Sequence, residues 1–247
     1  MIKPIRWLCL LLIVSLLTGC FYWVRVYKVY LQMKDFDQHF SITSEKKFTV
    51  NFKDPVLYSD DFVSLSKLQP STILPLASGE RWRYWFQKVD EKWLKLSPGK
   101  SFYFDLYFNQ EKRLTHWIFS PLFMQIAPAE FLEVSLRSLS TAEINKGKKQ
   151  LKANVDSIEK IKTELPKKTL VVNHLAEPLA IKQKAEQEEL RYHFLLDTHD
   201  IKEGYEDRAR TIINLTFDNE KHELVRMAGR FAGLKVSINY KKYQQSE

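Results

Sequence analysis

The two cysteines of this chain, Cys9 and Cys20, both lie in its first twenty residues. As a thiolate, cysteine is a nucleophile that can form a thioether with an activated alkyl group. Gly19 has no side chain and leaves the peptide bond before Cys20 open to a peptidase. Two basic residues precede an uncharged apolar run at residues 7–17. This order of charge, apolar run and small residues is typical of an export signal with a cleavage zone near Cys20.

The four residues Leu17-Thr18-Gly19-Cys20 resemble the bacterial lipobox. The resemblance implies that residues 1–19 are a lipoprotein signal peptide and that the mature chain begins at Cys20, acylated with chains such as palmitate. Several acyl chains hold a protein on a bilayer far more firmly than one chain. Phe21 stands where enteric bacteria place the Asp that retains lipoproteins in the inner membrane. The resemblance therefore implies an outer-membrane location, facing the periplasm.

An uncleaved membrane helix is the alternative interpretation of the same residues. Residues 7–24 form 18 uncharged positions, which is just long enough to span a bilayer. Basic residues flank this run on both sides, so the distribution of positive charge does not choose between the two. The helix would place the rest of the chain on an inner membrane, held by one transmembrane segment.

The composition excludes several classes of protein. The chain has 247 residues, of which 45% are hydrophobic, so one or two folded domains are expected and whole-chain disorder is excluded. Its 38 Lys and Arg against 30 Asp and Glu give a net charge of +8, which favours anionic surroundings. Cleavage before Cys20 would leave one cysteine, so we expect no disulfide, no catalytic thiol and no cysteine zinc site in the mature chain.

No catalytic, cofactor-binding or metal-binding residue is predicted. The six histidines include no pair at the i, i+4 helical spacing of a zinc site, and no phosphate-binding glycine motif occurs. The densest carboxylate groups are Asp60-Asp61 and the cluster of Glu186, Glu188 and Glu189. Asp60 and Asp61 follow Ser59, where we expect them to stabilise a helix start. We expect no enzyme, no nucleic-acid partner and no small-molecule substrate.

An internal repeat organises the chain. A shift of 108 residues aligns Arg83-Tyr84-Trp85-Phe86 with Arg191-Tyr192-His193-Phe194, and a shift of 109 aligns residues 106–112 with residues 215–221. Each copy reads as a short helix that ends before a proline, followed by strands of alternating polarity and a polar turn. A duplicated supersecondary unit explains this pattern.

The sequence therefore predicts an α+β fold of two similar helix-on-antiparallel-sheet units joined by a helical segment. The helical segment follows from apolar residues at helical spacing and carries a lysine run. The predicted boundaries are a signal peptide at 1–19, a membrane-proximal segment at 20–46, a first unit at 47–123, a helical linker at 124–164 and a second unit at 165–247.

Residues 21–40 and the first unit are rich in aromatic side chains. Two interpretations of residues 21–40 stay open: an amphipathic helix in the lipid headgroup region, with Arg25, Lys28 and Lys34 toward phosphates, or a segment packed on the following domain. Alternation in the strands sends aromatic residues to both faces of a sheet, so one face contacts helices, membrane or a partner.

Each unit also resembles the small BamE/SmpA-like domain of outer-membrane lipoproteins, on the short helix, the proline and the strand closing on Phe-Asn or Phe-Asp. The whole chain resembles proteobacterial lipoproteins. The resemblance implies a non-catalytic envelope lipoprotein that binds or scaffolds other envelope components on the periplasmic side. The alternative is a lipid- or glycan-binding periplasmic module held by one N-terminal transmembrane helix. The expected partners are the membrane itself, through acylation, and an envelope protein or anionic lipid.

We expect the intact mass of protein extracted from membranes to match a chain that begins at acylated Cys20. The Cys20→Ala variant, which has no thiol to modify, should keep its signal peptide and gain no lipid mass. An unmodified wild-type chain that retains Met1 would contradict the lipoprotein and identify residues 7–24 as a membrane helix.

Overall fold

The computed structural model describes residues 21–45, 47–96, 99–145, 150–152, 158–199, 201–231 and 234–245. The described helices are α1 (Phe21–Lys34), α2 (Phe36–His39), α3 (Ser59–Ser66), α4 (Pro121–Met124), α5 (Ala129–Arg137), α6 (Lys168–Leu175) and α7 (Glu206–Ala209), with 3-10 turns at Ser138–Thr141 and Tyr240–Lys242. The strands are β1 (Phe40–Thr43), β2 (Thr49–Phe52), β3 (Thr72–Leu76), β4 (Gly79–Val89), β5 (Ser101–Asn109), β6 (Leu114–Phe119), β7 (Glu143–Asn145), β8 (Gln150–Lys152), β9 (Ala180–Gln183), β10 (Gln187–Leu196), β11 (Arg210–Asp218), β12 (Leu224–Phe231) and β13 (Leu234–Asn239).

Eleven strands form one antiparallel sheet, and nine of them follow the order β1-β2-β6-β5-β4-β10-β11-β12-β13. The short strands β3 and β9 pair with the free ends of β4 and β10. The predicted fold class is therefore wrong, because the protein is mostly β and does not consist of two separate helix-on-sheet units. An isolated first unit would leave half of the β4 edge without hydrogen-bond partners. Pairing with β10 satisfies that edge and makes the sheet continuous.

The β4–β10 register relates the two halves by an approximate two-fold axis. Phe86 pairs with Leu196 and Lys88 pairs with Phe194, while Gln87 and Leu195 form the central pair. Under the 108-residue shift, Phe86 corresponds to Phe194 and Lys88 to Leu196. The shift therefore turns the Phe86–Leu196 pair into the Phe194–Lys88 pair, as a two-fold axis through the central pair requires.

Irregular backbone features recur in both halves. Lys67 and Ala176, which follow α3 and α6, both have positive φ, and so do Lys112 and His222 in the turns before β6 and β12. The β5–β6 and β11–β12 pairs each contain a register shift near their polar turn. The two register shifts, at Tyr107/Phe108 and Thr216/Phe217, lie at positions that the 109-residue shift aligns. The positive-φ residues recur at separations of 109 and 110 residues.

The sheet curls around a single core. The side chain of Phe102 contacts Phe86 and Phe194, each at a ring-centroid distance of 4.9 Å, and so joins the two halves. Phe86 also lies 6.3 Å from Phe231 on β12, which is three strands away. Three strand spacings amount to about 14 Å in a flat sheet, so this approach requires strong curvature. Tyr240, beyond β13, is fully buried and donates a hydrogen bond to the carbonyl of Ile126.

The segment predicted as a helical linker is only partly helical. Its regular helix is α5, which buries Phe131 and Leu132 in the core, and the 3-10 turn extends it. Strands β7 and β8 then pair as a separate two-stranded sheet. Most of the lysine run lies outside the described residues.

Cations from each half cap the helix of the other half. The buried ammonium of Lys88 on β4 donates to the carbonyl of Leu175 at 2.8 Å, at the last residue of α6. Arg208 beside β11 donates to the carbonyl of Leu65 at 2.6 Å, at the end of α3. The last carbonyls of a helix lack intrahelical partners and carry partial negative charge, so a cation satisfies them. Burial lowers the pKa of Lys88 below its ordinary value.

The Lys88→Met variant should be less stable than the wild type by about 1–3 kcal/mol, because methionine keeps the apolar stem but leaves buried helix-end carbonyls without a donor. Chemical denaturation measures the change. Lys182→Met on the exposed strand β9 is the matched control and should differ from wild type by less than about 0.5 kcal/mol. Equal stability of Lys88→Met and Lys182→Met would show that the cap contributes nothing.

Candidate functional site on the outer sheet face

Alternation along β4 and β5 gives the sheet two different faces. Trp82 and Phe86 point into the core, while Arg83 and Trp85 lie on the opposite, outer face and are half-buried. On β5, Tyr103 is half-buried on that outer face beside them. We call Arg83, Trp85, Tyr103 and Asp105 the outer cluster.

Arg83 is the centre of the outer cluster. Its Nε and Nη2 atoms each donate to Asp105 at 2.7 Å, in a bidentate ion pair across the β4–β5 register. The carboxylate is only 1% exposed, whereas the Arg83 side chain is 20% exposed. This hydrogen bonding raises the pKa of Arg83 above its ordinary value, so the guanidinium stays charged.

Aromatic rings complete the outer cluster. The Arg83 guanidinium lies 3.8 Å from the ring centroid of Tyr103, and Trp85 stacks on Tyr103 with centroids 5.4 Å apart. Stacking and cation–π contact hold all three side chains in one arrangement. The result is a rigid group of large amphipathic side chains on a half-exposed surface.

The second half carries an altered version of this cluster. Arg191, the equivalent of Arg83, donates from Nε to Asn214 at 3.0 Å, and Asn214 is the equivalent of Asp105. His193 replaces Trp85 and is covered by Trp93, whose ring stacks on it at 4.6 Å. Burial lowers the pKa of His193 below its ordinary value, and the Arg191 charge lowers it further. In the described part of the chain, a tryptophan–tyrosine stack on this face is present in the first half only.

The lipid-attachment residue predicted from sequence, Cys20, lies outside the described residues, as does most of the alternative membrane helix at 7–24. Within the described part of the chain, no helix has the length and apolar character needed to cross a bilayer. Among those same residues, no group of histidine, cysteine, aspartate or glutamate side chains is placed to hold a metal ion.

Several of the histidines and carboxylates considered from the sequence have structural partners. His39 bonds to Asp54 at 2.8 Å, whereas His116 lies on the outer face beside Tyr107. Within the glutamate cluster, Glu188 forms an ion pair with Lys168. Asp61 accepts the backbone N–H of Tyr58 at the start of α3, which is the stabilising role expected of it, although Ser59 makes no capping hydrogen bond.

Two surface depressions adjoin the first half. One, of about 220 Å³, is lined by the side chains around Phe48 and Met124, and Lys47 is the ionisable group among the described residues that line it. The other, of about 380 Å³, contains Asp54 and Glu111. The first of these carboxylates pairs with a histidine and the second with Arg113 at 3.1 Å.

Fold and surface together define a single curled antiparallel sheet with an arginine–aromatic cluster on its outer face. Comparisons with protein-family models, with curated proteins and with solved structures found no match. The resemblance to the BamE/SmpA-like domain stays a prediction. The sequence showed that the first half is rich in aromatic residues but not how they are arranged. Their arrangement depends on the ion pair between Arg83 and Asp105, which lie on different strands whose register the sequence does not specify.

We expect Asp105→Asn to destabilise the protein by about 1–3 kcal/mol, since the amide removes a buried charge and turns one acceptor into a donor facing Arg83. Urea denaturation measures the difference. Asn214→Ala at the equivalent exposed pair should cost less than about 0.5 kcal/mol. The opposite ranking of the two variants would show that the outer cluster is not held by its ion pair.

Proposed function

We propose that this protein is a non-catalytic cell-envelope lipoprotein that binds or scaffolds other envelope components on the periplasmic side. Its anchor is Cys20, and its binding surface is the outer cluster. The observation that carries this proposal is the half-exposed stack of Arg83, Trp85 and Tyr103 on the outer face of the sheet.

The composition of the outer cluster supports a protein-binding role. Tryptophan, tyrosine and arginine dominate the few residues that supply most of the binding energy in protein interfaces. The ion pair with Asp105 orders these side chains before any partner arrives. Little conformational entropy is then lost on binding, which favours affinity.

The difference between the halves supports the same assignment. Packing of the sheet requires the core-facing residues, but it does not require a tryptophan on the outer face. The second half has the same strands with a histidine under Trp93 at the equivalent position. A binding role accounts for the cluster being present in the first half only.

A lipid- or glycan-binding module is the second candidate. The outer face of the second half carries exposed arginines on β11 and β12, namely Arg210, Arg226 and Arg230. Guanidinium groups bind phosphates and carboxylates in bidentate geometry, and aromatic rings stack on sugars. This candidate places an anionic lipid or glycan on the same surface.

Site-specific photo-crosslinking in intact cells tests the proposal. A p-benzoylphenylalanine residue at Trp85 should crosslink to one protein of the cell envelope, whereas the same residue at His193 should not. With the crosslinker at Tyr107, which is also on the outer face, Tyr103→Ala should abolish the adduct and Ile212→Ala at the equivalent position should keep it.

If the residue at Trp85 crosslinks to lipid or glycan and to no protein, the protein-binding function is rejected in favour of the lipid- or glycan-binding module. Identical adducts at Trp85 and His193, or none at either, would contradict a binding role for the outer cluster. Circular dichroism of each variant confirms that the fold is intact, so that a lost adduct reports binding.

A further inference from the structure

Helix α1 exposes an apolar stripe to solvent although it lies against the folded domain. Val24, Tyr27 and Leu31 are 50%, 54% and 41% exposed. They follow one another at helical spacing and therefore lie on one face. Lys28 and Lys34 are exposed on the same side of the helix. We call these five residues the α1 stripe.

The opposite face of α1 is fixed to the domain. Arg25 donates from Nε to Asp61 at 2.7 Å, and the Asp61 side chain is only 2% exposed. Tyr30 donates to the carbonyl of Ala142 at 3.0 Å. Val29 and Met33 pack on the hydrophobic core. Arg25 thus points at the domain and not at lipid phosphates, and the α1 stripe cannot turn inward without breaking these contacts.

The chain that precedes α1 identifies what covers the stripe. The apolar run at residues 7–17 ends seven residues before Val24. Val24 is four residues from Cys20 and lies in α1, where four residues rise about 6 Å. The stripe therefore begins close to a bilayer whether the anchor is an acylated cysteine or an uncleaved helix. Only three residues separate the apolar run from the first residue of α1, which is too short a segment to hold the stripe far from that surface.

The chemistry of the stripe fits a lipid surface better than a protein. Three apolar side chains are too few for a stable protein interface, which buries about 800 Å² on each partner. Lysines within the same stripe fit a headgroup region, where the stems lie along apolar surface and the ammonium groups meet phosphates. Tyrosine is enriched at this boundary.

We infer that the α1 stripe lies at the boundary between headgroups and acyl chains of the anchoring membrane and sets the orientation of the sheet relative to it. Arg25 and Asp61 join the membrane-bound helix to the domain. The inference rests on the proposed membrane location but not on binding by the outer cluster. The domain is held at one tilt on the membrane, with no flexible tether.

The test uses the full-length protein reconstituted in vesicles of phosphatidylethanolamine and phosphatidylglycerol. The photo-crosslinker p-benzoylphenylalanine replaces, one at a time, Val24, Tyr27 and Leu31 on the stripe and Val29 and Met33 on the docked face. Mass spectrometry identifies the adducts. The stripe positions should give lipid adducts, and the docked positions should give crosslinks within the chain only.

Leu74 and Ile181, which are also exposed apolar residues, provide the control for accessibility and should give no lipid adducts. The inference is overturned by lipid adducts at none of the stripe positions, by equal lipid adducts on both faces of α1, or by a crosslink from Tyr27 to a protein. The lipid adducts should persist when Trp85 and Tyr103 are replaced by alanine. This experiment therefore distinguishes a wrong proposal for binding by the outer cluster from a wrong inference for the α1 stripe.

Discussion

The four-residue pairing of β4 with β10 is the contact on which the rest of the structure depends. It joins the two halves of the chain at Gln87 and Leu195, and the approximate two-fold axis passes between them. A slip of one residue would turn every side chain of one half to the wrong face. With the observed register, the apolar faces of both halves are continuous, and Phe102 packs between Phe86 and Phe194.

Two other features follow from that register. It brings Lys88 to the end of α6, where burial of an ammonium group is tolerated because helix-end carbonyls accept its hydrogen bonds. It also aligns the outer faces, so that the Arg83–Asp105 and Arg191–Asn214 pairs occupy corresponding places on one surface. The proposed binding surface is therefore a by-product of the pairing that builds the core, and its two halves are free to differ.

Much of the local structure could be predicted, because it depends on residues close together in the chain. The short helix expected before a proline in each copy is present, as α3 and α6, and the expected strands follow it in both halves. The expected polar turns connect β5 to β6 and β11 to β12. The fold class was predicted wrongly because the strand that pairs with the β4 edge, β10, lies more than one hundred residues later in the chain. The alternation of polar and apolar residues predicts a strand but does not specify which strand it pairs with. The two interpretations of residues 21–40 also stayed open, since aromatic residues are spread around the whole helix.

The sequence by itself determined the apolar run before Cys20, the net positive charge, the two shifts that align the halves, and the alternation that separates the faces of each strand. Only the tertiary structure decided that the halves share one sheet, that Arg83 pairs with Asp105, and that Arg25 points to Asp61. Local patterns restrict backbone conformation within a few residues. Contacts between distant residues depend instead on strand register and burial, which exist only once the chain has folded.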